Sequence, residues 1–166
     1  MIEGGFVSAP RDRNNAPTSF NSVPSVLGSW SAAPGGTIQG RFGWVNPSTG
    51  LVSNTRVSAE DQIGVVLPLS ARGGVIGAGH TWQFFDPLVR AFRIREGLGV
   101  ILIASGPMWL RFAGGAYTGQ PIYASLDDGH AISGSAANSE LTPWVVASNA
   151  PGGGLAIAST NAYFGS

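Results

Sequence analysis

Two imidazoles, nine acidic side chains and many hydroxyls are what the chain offers for acid–base, nucleophilic or metal chemistry, and it has no Cys. His80 and His130 each follow a Gly, and neither stands in a His-x-x-x-His spacing or beside Glu on a helix. A zinc site would therefore need ligands gathered from distant loops. Asp127, Asp128 and His130 form the densest cluster. Asp128-Gly129 is a turn signal in its own right, because it tolerates positive φ, so the cluster reads as a solvated hairpin turn. Glu60 and Asp61 are adjacent, which in an extended chain sends the two carboxylates to opposite faces, whereas a glycosidase pair must face each other across the substrate. No Gly-x-Ser-x-Gly elbow occurs, and Gly77-Ala78-Gly79 and Gly97-Leu98-Gly99 lack the further glycine and following helix of a phosphate cradle. The expectation is a non-enzymatic chain with no catalytic residue, no metal site and no cofactor.

Trp30, Trp44, Trp82, Trp109 and Trp144 suggest a second kind of chemistry, stacking on sugar rings. Four of the five fall in apolar strand-like runs, where an aromatic serves a core or an interface more often than a ligand platform. A carbohydrate-binding β-sandwich module remains the alternative reading. Nine Arg and no Lys balance nine Asp and Glu, giving a formal net charge of zero. A protein that binds nucleic acid by neutralising phosphates needs a basic excess, so no nucleic-acid partner is expected. No apolar run approaches the ~20 residues that cross a bilayer, and no basic segment precedes an apolar one at the N-terminus, so no membrane partner or export signal is expected.

The elements that must position these residues are strands. Glycine and proline number 25 and 11 of 166 residues, yet 43% of the chain is hydrophobic and 11% charged. That composition supports one packed core rather than a disordered polymer. Residues 1–40 carry Pro10, Pro17, Pro24 and Pro34 with isolated apolar side chains at no regular period, which reads as an extended N-terminal arm that orders on a partner. Its anchors would be Phe20, Val23, Pro24, Val26, Leu27 and Trp30. From residue 41 to 166, short apolar runs alternate with turn chemistry every eight to twelve residues, the pattern of a small antiparallel β-barrel or sandwich. Strands are expected at 41–45, 63–69, 81–85, 89–94, 100–104, 108–112, 120–125, 144–148 and 155–159, with 108–112 pairing back on 100–104. No repeat of fixed period is visible, and no helix beyond one turn at 58–62 is supported.

Several stretches carry a resemblance. Pro34-Gly35-Gly36-Thr37-Ile38-Gln39-Gly40-Arg41-Phe42-Gly43-Trp44-Val45, Ile63-Gly64-Val65-Val66, Gly99 to Leu102, Gly106-Pro107-Met108-Trp109, Gly119-Gln120-Pro121-Ile122-Tyr123-Ala124 and the closing run from Trp144 to Thr160 resemble, in this order, the structural cement proteins of tailed-bacteriophage heads. Pro107 stands where that family often carries an acidic residue, and the charged stretch from Arg90 to Glu96 has no match in it. The resemblance implies an all-β virion protein on the outer surface of the capsid, assembled in the host cytoplasm. It would staple neighbouring subunits of the major capsid protein and associate with copies of itself, as a homotrimer or a dimer.

Overall fold

The structure is a computed structural model that describes residues 25–68 and 83–160. Among them are thirteen strands and no helix: β1 (Ser25–Ala32), β2 (Thr37–Ile38), β3 (Phe42–Asn46), β4 (Leu51–Ser53), β5 (Gln62–Pro68), β6 (Gln83–Asp86), β7 (Ala91–Ile94), β8 (Gly99–Ser105), β9 (Met108–Phe112), β10 (Pro121–Ser125), β11 (Ala131–Ser133), β12 (Ser139–Val146) and β13 (Gly154–Ser159). The fold is all-β, as the sequence predicts. The expectation of one barrel gives way to two closed five-stranded barrels, β1-β4-β3-β5-β8 and β10-β11-β9-β13-β12, with a three-stranded sheet β2-β7-β6 beside them.

Two further expectations are corrected. Residues 25–32 and 37–38, placed on the extended arm, are strands, and β1 pairs with both β4 and β8 as a full member of the first barrel. Scattered apolar residues hid β1 because its pairing with β8 shifts register twice, at Ser25/Val26 and between Val26 and Ser29, which destroys any period of two. β9 does not pair back on β8. It pairs with β13 and β11, because the chain leaves the first barrel at Gly106, whose φ of 110° redirects it into the second.

The two barrels are copies of one topology. Numbered in chain order within each barrel, the first strand pairs with the third in parallel, while the pairs two–three, two–four, four–five and one–five are antiparallel in both. Left-handed glycines recur at the same places, 79 positions apart: Gly36 and Gly115 (φ 78° and 82°), Gly40 and Gly119 (81° and 90°), Gly50 and Gly129 (69° and 70°). Backbone hydrogen bonds recur with them. Gly50 N–H donates to Asn46 O as Gly129 N–H does to Ser125 O, and Val66 N–H donates to Arg41 O as Val146 N–H does to Gln120 O. The repeat invisible in the side chains is therefore present in the backbone. It is interrupted where the first barrel carries the β6–β7 hairpin between its fourth and fifth strands and the second has only the short turn after β12.

Strand alternation divides the core. Ala32, Val45, Val52, Val66, Val100 and Leu102, drawn from all five strands, fill the first barrel. Gly43 and Gly64 are register partners, and a Cβ on either would lie 2.5 Å from Val66 or 2.8 Å from Leu102, so this narrow interior admits larger side chains only because those two positions have none. The opposite faces of β3, β5 and β8 present Phe42, Trp44, Val65, Leu67, Ile101 and Ile103 to the second barrel, where they join Met108, Leu110, Phe112, Ile122, Trp144 and Val146 in one cluster. Phe42 meets the Trp144 ring edge-on at 5.5 Å between centroids.

Candidate functional site

The β6–β7 hairpin is the part of the first barrel's chain that the second barrel lacks, and it is built to hold apolar groups outward. Asp86, at the end of β6, organises it: Oδ1 accepts from Leu88 N–H at 3.0 Å, and Oδ2 accepts from Arg93 Nε and Nη2 at 3.0 and 2.9 Å. The Arg93 hydrogen bond, helped by backbone N–H donors and the guanidinium charge and opposed by burial, holds the Asp86 carboxyl below the usual carboxylate range. Arg93 also donates to Gly35 O, and Gln39 N–H donates to Phe92 O, which ties the hairpin to β2 and its flanks. On this frame Leu88 is 92% exposed, Phe85 54% and Phe84 38%. Phe85 leans on Phe92 edge-to-face at 5.7 Å, and the Arg95 guanidinium lies 4.9 Å above the Phe84 ring. These contacts fix the rings without covering them.

The Asp127-Asp128-Gly129-His130 cluster is the partly solvated turn expected from sequence, with Asp127 exposed and Asp128 and His130 half-buried, and its backbone is also docked. Phe42 N–H donates to Gly129 O at 2.9 Å, the Thr55 hydroxyl donates to Asp127 O at 2.7 Å, and Arg56 N–H donates to Leu126 O at 3.0 Å, so the β10–β11 turn of the second barrel is pinned on the first. Asp128 Oδ2 accepts from Arg41 Nη1 at 3.0 Å, while Oδ1 pairs with His130 Nδ1. Burial works to raise the Asp128 carboxyl, yet the side-chain and backbone hydrogen bonds from His130 and the imidazole charge outweigh it, and the carboxyl is held below its ordinary value.

The other residues singled out by sequence are distributed as follows. Phe20, Val23, Pro24, His80 and Trp82 lie outside the described residues. Val26 and Leu27 are in β1, with Val26 opposite Ile103, and Trp30, opposite Val100, packs on the interior cluster of the first barrel instead of extending from it. Trp44 and Trp144 are fully buried, and their indole N–H groups donate to Glu140 Oε2 and Gly106 O, so neither offers a stacking face to a sugar. Asp61 caps the 58–61 turn by accepting from Val57 and Ser58 N–H, while neighbouring Glu60 is exposed, and the two do not converge. Among the described residues, no three His, Asp or Glu side chains are grouped closely enough to hold a metal ion. The hairpin's Phe84, Phe85 and Leu88 are the surface that sequence reading missed. The run Gln83 to Ile94 was legible as two strands and a turn, but its imperfect alternation concealed that apolar side chains stay exposed on both faces of β6. Comparison of the chain with protein-family models and with curated proteins finds no match.

Proposed function

We propose that this chain is a structural cement protein that binds the outer surface of a tailed-phage head and staples neighbouring subunits of the major capsid protein. The observation that carries the reading is the β6–β7 hairpin: Phe85 and Leu88 exposed on a braced two-stranded element, with Phe84 on the opposite face of the strand, on a body whose two barrels share one core. Large apolar side chains held exposed on a braced hairpin mark a protein contact. A stiff body with few charges can touch more than one shell subunit at once, so that modest contacts add through effective concentration. The sequence resemblance to phage cement proteins supports the same reading, and self-association as a homotrimer would match symmetric positions of a shell.

The test is to incubate the purified full chain with undecorated heads of its own phage and look for stoichiometric addition by electron cryomicroscopy, alongside a Phe85→Ser, Leu88→Ser double variant. Wild-type decoration with loss in the still-folded variant is expected. Bare heads with the wild-type protein would end the cement reading, and equal decoration by both would remove the hairpin from it.

A further inference from the structure

A cleft of about 380 Å³ opens where the two barrels and the hairpin meet, lined by Arg41 from the first barrel, Arg90 from the hairpin turn, Arg111 from β9, and Asp128 and His130 from the β10–β11 turn. We propose that it is an oxyanion-binding site, for a carboxylate or a phosphate group. Three of the chain's nine arginines reach one cleft from three separate elements, against the single Asp128 carboxylate, and a guanidinium is the side chain whose planar fork matches such groups. Arg41 is oriented by Asp128, and Arg111 by a 2.8 Å hydrogen bond from Nη1 to Gly153 O, so both are set in place by the protein.

Two independent observations point the same way. Arg90 has φ of 52°, a left-handed conformation that glycine adopts without strain and arginine does not. In a chain with 25 glycines, an arginine at the closing position of this turn keeps a backbone cost that a glycine would remove, which fits a use for its side chain. The internal repeat supplies the second. Positions matching Arg41, Arg111, Asp128 and His130 in the other barrel are Gln120, Ser31, Thr49 and Leu51, so the topology itself does not call for charge at any of the four.

The site is separable from capsid binding, since the experiment needs only the isolated full chain. Titration with sodium phosphate and, separately, with hexaglutamate at constant ionic strength is followed by amide chemical shifts. Saturable shifts at residues 41, 90, 111 and 130 with phosphate support a phosphoryl ligand, and with hexaglutamate alone a carboxylate. Arg90→Gly should weaken the bound probe roughly tenfold, the loss of one charged hydrogen-bonding partner, while leaving the melting temperature unchanged or raised. Arg111→Gln provides a second variant with the same expected loss. No saturable shift with either probe, or unchanged affinity in both variants, overturns the proposal.

Discussion

Gly50 and Gly129 close matching turns with φ of 69° and 70°, but a Cβ would meet different surroundings at each. At Gly50 the nearest atom is a ring carbon of Trp30 at 3.7 Å; at Gly129 it is the Phe42 carbonyl oxygen at 2.0 Å. Both alanine substitutions carry the left-handed penalty of about 1 kcal/mol, and Gly129→Ala must in addition push the turn off β3. In urea denaturation Gly129→Ala should therefore cost at least about twice what Gly50→Ala costs. Equal costs would show that the docked turn adds nothing to stability. Asp128 in the same turn gives a pH signature. Its folded value lies below the ordinary value near 3.9, so its contribution is complete above the unfolded value and is lost as pH falls below about 4 through the folded one. With the side chain nearly half exposed the effect is reduced by salt. Asp128→Asn should flatten the acid limb of the stability curve, and an unaltered limb would remove this pairing from the account of acid unfolding. The turn itself was readable from Asp128-Gly129. Its docking was not, because Arg41 is 87 residues away in sequence and no local signal links them.

At the scale of the element, β8 shows how far pattern carries. Its unbroken apolar run predicts a central strand with both faces covered, and the structure splits it: Val100 and Leu102 point into the first barrel, Ile101 and Ile103 into the shared cluster. Leu102→Ala should cost roughly 2–5 kcal/mol, since the side chain is fully buried and touches the tight spot left by Gly64. A loss under about 0.5 kcal/mol in chemical denaturation would contradict its place in a packed interior. The second barrel was legible strand by strand but not as a copy. Barrel interiors demand volume and alternation rather than identity, so Val45 and Val52 are matched by Ala124 and Ala131. The residues that recur are few, the left-handed glycines whose dihedrals are dictated and the Val65-Val66 and Val145-Val146 pairs, and so few do not stand out as a period.

For the whole molecule, the question is whether two barrels of one topology are two folding units. The shared cluster argues for one. If the first barrel stood alone, Phe42, Trp44, Leu67, Ile101 and Ile103 would lose their cover, and the indole N–H of Trp44 its acceptor on Glu140. Burial of each such side chain stabilises by about 1.5–3 kcal/mol, so five together rival the 5–15 kcal/mol that separates a typical native domain from its unfolded state. The docked turn adds the Phe42–Gly129 and Thr55–Asp127 hydrogen bonds across the same boundary. Heat should therefore unfold the full chain in one transition with matching calorimetric and van't Hoff enthalpies, and a fragment of residues 25–105 should give the collapsed amide spectrum of an unfolded chain. Two resolved transitions, or a well-dispersed spectrum from the fragment, would show that the barrels are joined rather than fused. A body that opens as one unit also bears on a stapling role. A pull on the β6–β7 hairpin is then resisted by the core common to both barrels, because the hairpin is anchored through β2 and Gly35 to the first barrel and through β3, β5 and β8 to the second.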